Sequence, residues 1–109
     1  MLKALLGNET KEKALLYLYT YGEGYAQEIR QKLSLPLRSV QLQLKQLEEA
    51  GILVCRKRDR TIVYQLNPRY PFYREITALL ERVLQALPVE TRRTFYTPRL
   101  RPRRQGKPP

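Results

Sequence analysis

The sequence has no histidine and no tryptophan, one cysteine, one aspartate (Asp59) and two serines, Ser34 and Ser39. Without imidazole, a serine or cysteine nucleophile has no ordinary general base, and a zinc site has almost no ligands to draw on. A lone Cys55 excludes a disulfide framework within the chain. It reads as a small, buried or half-buried apolar residue on a strand, because no second thiol is there to resolve an oxidised one. The glycines at 7, 22, 24, 51 and 106 form neither a phosphate-cradling loop nor a dinucleotide fingerprint. No catalytic residues, cofactor or metal ion are therefore expected. No apolar run approaches the ~20 residues of a membrane span. Met1–Gly7 is too short for a secretory leader, so the expectation is a soluble intracellular protein.

Acid is scarce as well: 10 Asp and Glu stand against 21 Lys and Arg, a net charge of +11 on 109 residues. One domain of that length with so strong a basic balance points to a polyanionic partner. Nucleic acid comes first and an anionic membrane surface second. The excess is uneven. Residues 1–87 carry a net +5 and residues 88–109 a net +6. The second stretch is rich in proline and lacks helical or strand periodicity, so it reads as a disordered basic tail beginning after Leu87.

Within residues 1–87 the punctuation is clear. Asn8 is a good N-cap, and Glu9 and Glu12 place acid in the first turn of a helix running to about Tyr21. Leu2, Leu5 and Leu6 suggest a short turn before it. Ala14 to Tyr19 is almost wholly apolar, which implies cover on more than one side. Gly22-Glu23-Gly24 ends this helix. A short helix over 25–33 and a longer one over 37–50 flank the break Ser34-Leu35-Pro36, and Gly51 stops the second. In that longer helix Val40, Leu44 and Leu47 form one narrow apolar stripe, with Arg38, Leu42 and Lys45 opposite, flanked by Gln41 and Gln46. Residues 52–57 and 61–66 read as a hairpin about Arg58-Asp59-Arg60, with Ile62, Tyr64 and Leu66 on its buried face. A strongly amphipathic helix follows over 71–87. Tyr70, Phe72 and Tyr73, near its start, read as core or interface residues.

Two helices joined by a tight turn, followed by a basic hairpin, make a mainly α, winged helix-turn-helix plan: a three-helix core, a β-wing and a long C-terminal helix. The chain resembles the small regulators of the arsenic-repressor (ArsR) type through Ala26-Gln27-Glu28-Ile29, Leu33-Ser34-Leu35-Pro36, the run from Leu44 to Leu53 and the close of the wing at Tyr64-Gln65-Leu66-Asn67. The likeness extends over about Leu5 to Leu87. Metal-sensing members of that family use Cys and His clusters, which this chain lacks, so no metal ligands are expected. The resemblance also implies dimerisation through terminal helices. Part of the wide apolar face of the last helix is expected to cover Leu5, Leu6 and the first helix of its own chain, and the rest a partner. Leu15, Ile76, Leu79, Leu80, Val83, Leu84 and Leu87 are the candidate interface, and a two-fold dimer would present two recognition helices about one DNA turn apart.

The plan assigns DNA contacts residue by residue. Arg38, Ser39, Gln41, Leu42 and Lys45 would enter the major groove, where Arg pairs with guanine and Gln with adenine. Arg56, Lys57, Arg58 and Arg60 crowd one short hairpin, as expected of a wing lying along phosphates, although charge that blunts a sheet edge is the competing reading. Arg99, Arg101, Arg103 and Arg104 would add nonspecific contacts from the tail. Pro98-Arg99-Leu100-Arg101-Pro102 resembles the minor-groove AT-hook, but Leu100 replaces its central glycine. The expected function is sequence-specific binding of double-stranded DNA by a homodimer that regulates, and by occluding a promoter represses, transcription in a prokaryotic cytoplasm. The alternative is a winged-helix module for protein interaction or RNA binding. An amphipathic last helix with a mixed-charge polar face argues against a membrane.

Overall fold

In the computed structural model, which describes residues 1–97, the chain opens with a single turn, α1 (Lys3–Leu6), closed by Gly7 in the left-handed region at φ 78°. Asn8 then caps α2 (Glu9–Tyr21), its side chain accepting the Lys11 amide at 2.8 Å. Helices α3 (Ala26–Leu33) and α4 (Leu37–Glu49) follow, and the break between them puts Ser34 at φ 56°. Strands β1 (Leu53–Arg58) and β2 (Thr61–Leu66) pair antiparallel, from Leu53 opposite Leu66 to Arg58 opposite Thr61. Helix α5 (Tyr73–Ala86) and a short α6 (Val89–Phe95) complete the described residues. The architecture is mainly helical with a small β-wing.

Helix α2 is the hub. Ala14, Leu15, Leu16, Tyr17 and Leu18 are buried in succession, which one-sided cover cannot do. Around them sit Ile29 and Leu33 of α3, Val40, Leu44 and Leu47 of α4, Leu53 of β1, and Leu80, Val83 and Leu84 of α5. The charged exception is Glu12. Its buried carboxylate accepts the Leu2 amide at 3.0 Å and the terminal ammonium of Met1 at 3.3 Å, which ties α1 onto α2.

Four expectations need correction. The stretch from Val89 is not wholly irregular, because residues 89–95 are helical and Tyr96 is only 6% exposed in the core. Tyr21 fastens this segment by donating its hydroxyl to the Phe95 carbonyl at 2.8 Å and to that of Thr97 at 3.2 Å. The candidate interface residues Leu15, Leu80, Val83 and Leu84 are buried in the chain's own core, because α2 lies across the apolar face of α5. Ile76 and Leu87 are half-buried, and Leu79 is exposed. On the wing, Val63 is buried while Ile62 is 49% exposed. The hairpin packs on the core through Leu53, Tyr64 and Leu66, with Val63 buried beside them, while β1 beyond Leu53 projects away from it. For the same reason Cys55 is exposed rather than half-buried.

Desolvation by burial is the chief cause that raises the phenols of Tyr17, Tyr21, Tyr64 and Tyr96 above the ordinary tyrosine range, with the Glu28 carboxylate adding to it at Tyr17. Tyr19 is raised chiefly by its 2.7 Å bond to Glu81. A phenol raised in the folded state contributes stability that is fully present below its unfolded value, near pH 10, and is lost as pH rises through the folded value. Thermal unfolding midpoints should therefore fall steadily above about pH 10. Tyrosinate absorbance should also appear later in the native protein than in denaturant. Coincident native and denatured titration curves would contradict this packing.

Candidate nucleic-acid interface

Helix α4 is held by Val40 and Leu44, both fully buried, with Leu47 nearly so. That anchor fixes its rotation and turns Arg38, Gln41, Leu42 and Lys45 to the surface, while Ser39 is half-buried. No side-chain hydrogen bond or ion pair to another described residue engages Arg38, Gln41 or Lys45. Leu42 is 53% exposed and completes the outer face with an apolar contact point.

The wing stands beside that face. A groove of about 340 Å³ runs between them, walled by Tyr25 and Gln27 at the start of α3, Gln41 of α4, and Arg60, Ile62 and Tyr64 of the hairpin. The hairpin and α4 thus open onto one concave surface. The spacing is set by the α2–α3 loop, where Gly24 and Tyr64 exchange both backbone hydrogen bonds, at 2.8 and 3.0 Å. A side chain at Gly24 would bring Cβ to 2.7 Å from Tyr17 Cε1, so glycine is needed for this close approach.

The four wing cations are not equivalent. Arg56 reaches Glu23 at 2.6 Å and Gln65 at 3.0 Å, and Arg58 reaches the same carboxylate at 2.9 Å. These donors, Arg58 first and then Arg56, hold the Glu23 carboxyl below its usual range. Lys57 and Arg60 have no ion pair among the described residues. Glu23 escaped the sequence reading because it stood only as part of a helix stop. Its one signal was an acid between two glycines, and nothing in that spacing names a partner 33 or 35 residues away. Of the expected contact residues, Arg99, Arg101, Arg103 and Arg104 lie outside the described residues.

Among the described residues no group of three or more His, Cys, Asp or Glu could hold a metal ion, and no helix is long and apolar enough to cross a membrane.

No family model matches the chain. Over 81 residues, 74% of its length, it is 31% identical to the arsenic resistance transcriptional regulator ArsR1 of Pseudomonas putida. That match spans 62% of the relative, so the chain covers less than two thirds of it. Among solved structures it is similar to the AntR antimony-specific transcriptional repressor, with a TM-score of 0.61 at 20% identity over 78% of this chain and 75% of that one. YusO of Bacillus subtilis superposes at 0.58 with 19% identity, over 83% and 72% of the two chains. ZitR of Lactococcus lactis superposes at 0.55 with 17% identity, over 84% and 78%. At such identities the likeness is one of fold. Taken with the helix-turn-helix, the wing and the groove between them, it makes this chain a winged helix-turn-helix protein resembling the ArsR-type transcriptional regulators.

Proposed function

We propose that this protein binds duplex DNA in a sequence-dependent manner as a homodimer and regulates transcription, acting as a repressor by occluding a promoter in a bacterial or archaeal cytoplasm. One observation carries the reading: a polar and cationic face on a rigid helix, without side-chain partners among the described residues, shares a concave surface with a basic hairpin. A helix about as wide as the major groove, flanked by cations that reach the neighbouring backbone, matches duplex DNA in shape and sign. Regulation of transcription is also the role named for ArsR1 and AntR. For a dimer the support is apolar surface that the core leaves uncovered: Leu79 on α5, Phe72 just before it, and Leu5 on α1.

Selection of bound duplexes from a random pool at physiological salt tests the reading. The expected product is an inverted repeat with half-sites about one helical turn apart. A pool that stays random would overturn sequence-specific binding. It would favour the other use of this surface, a protein-interaction face centred on exposed Leu42.

A further inference from the structure

We propose that Glu23 divides the wing's cations into two working pairs: Arg56 and Arg58 orient the hairpin, and Lys57 and Arg60 meet phosphate. The proposal rests on the DNA-binding reading and assigns roles within it. Side chains alternate across a strand, and directly opposed residues share a face. Lys57 lies opposite Ile62, and Ile62 and Tyr64 wall the groove beside α4. Lys57 therefore stands on the groove side of the sheet, and Arg60 at the turn lines the same groove. By strand alternation Arg56, opposite Val63, and Arg58, two residues on, stand on the reverse side, although Thr61, opposite Arg58 at the turn end, borders the groove as well. The α2–α3 loop pairs in the plane of the sheet with the outer edge of β2, at Gly24 and Tyr64.

Glu23 emerges from that loop and takes both arginines on one carboxylate, Arg56 at 2.6 Å and Arg58 at 2.9 Å. Its two oxygens thereby fasten the free end of the hairpin to the helical core, a second attachment beyond the backbone pairing at Tyr64. Charge-assisted bonds of this kind have a defined direction, so they set the angle at which the wing leaves the core. They also occupy guanidinium groups that would otherwise be available to any polyanion. On this arrangement Glu23 is a specificity-determining residue. It limits the sequence-independent attraction of the wing while fixing the wing's position beside α4.

Counterion release makes the idea measurable, since each phosphate contact adds about 0.9 to the slope of log affinity against log salt. Binding of a random-sequence duplex by the full chain would be followed by fluorescence anisotropy between about 50 and 200 mM salt. Lys57→Gln and Arg60→Gln should each flatten the slope by about 0.9, and Arg58→Gln by less than half of that. Glu23→Gln should release both arginines and steepen it by as much as about 1.8. Glu90→Gln, which removes an exposed acid on α6 that pairs with no described residue, controls for net charge. Arginine side-chain relaxation by NMR reads the clamp without DNA, and Arg56 and Arg58 should become more mobile in Glu23→Gln. If the wild-type chain binds duplex DNA but Glu23→Gln keeps the wild-type slope, the proposal is overturned. The same holds if Arg58→Gln flattens the slope as much as Lys57→Gln. Failure of the DNA reading itself looks different: the wild-type chain would show no duplex affinity at low salt.

Discussion

Tyr96→Ala is expected to lower the unfolding free energy by about 3–5 kcal/mol, the usual cost of emptying a buried aromatic site. Domains of this size are stable by only about 5–15 kcal/mol, so the change would remove a large share of the total. Tyr96 is 6% exposed and belongs to the same cluster as Leu16, Leu44 and Leu80. It lies beyond α5, at the end of a helix whose seven residues contribute no buried side chain. The Tyr96 ring, the half-buried Phe95 beside it and the Tyr21 hydroxyl, shared between the Phe95 and Thr97 carbonyls, therefore hold the segment against α2. Val89→Ala, in the same segment, is the counterpart, because Val89 is 58% exposed and surface substitutions usually stay within about 0.5 kcal/mol. Urea unfolding of the two variants beside wild type decides the point. A Tyr96→Ala midpoint equal to that of wild type would mean that residues 89–97 are a loose arm after all.

Helices α2 to α4 were legible because their boundaries are written in local chemistry: the Asn8 cap, Gly22, the Ser34-Leu35-Pro36 break and Gly51. Each acts through backbone geometry within a few residues, which is the range over which a sequence can be read directly. Helix α6 was hidden for the opposite reason. Its seven residues, Val-Glu-Thr-Arg-Arg-Thr-Phe, are too short and too polar to show an apolar stripe, and the basic run after it dominated the composition. Periodicity likewise reported that α5 has a wide apolar face without saying whose surface covers it, so core leucines passed for interface. The outward side of α4 was readable, since Val40, Leu44 and Leu47 fix its rotation. The Glu23 clamp was not, being a contact between segments far apart in sequence that only the folded hairpin brings together.

Arg38→Ala is expected to weaken binding to a selected inverted repeat by about tenfold or more per half-site, because a bidentate arginine–guanine pair contributes roughly 1–3 kcal/mol of discrimination. Arg38 sits in the first turn of α4, and the N-terminal residues of a recognition helix are those that reach base edges. It is exposed and has no ion pair among the described residues, so its removal should leave the thermal midpoint nearly unchanged. The loss would then belong to binding rather than to folding. Against a random-sequence duplex the same change can remove at most a phosphate contact per protomer, and the salt slope should flatten by no more than about 0.9 for each. Gln41→Ala, one turn further along the same face, should show the same asymmetry between specific and nonspecific DNA. Leu42→Ala should act only where a thymine methyl lies beneath it. The decisive comparison is the ratio of the two affinities for each variant. If Arg38→Ala and Gln41→Ala lower specific and nonspecific binding by the same factor, α4 does not read bases, and this surface grips DNA through charge alone.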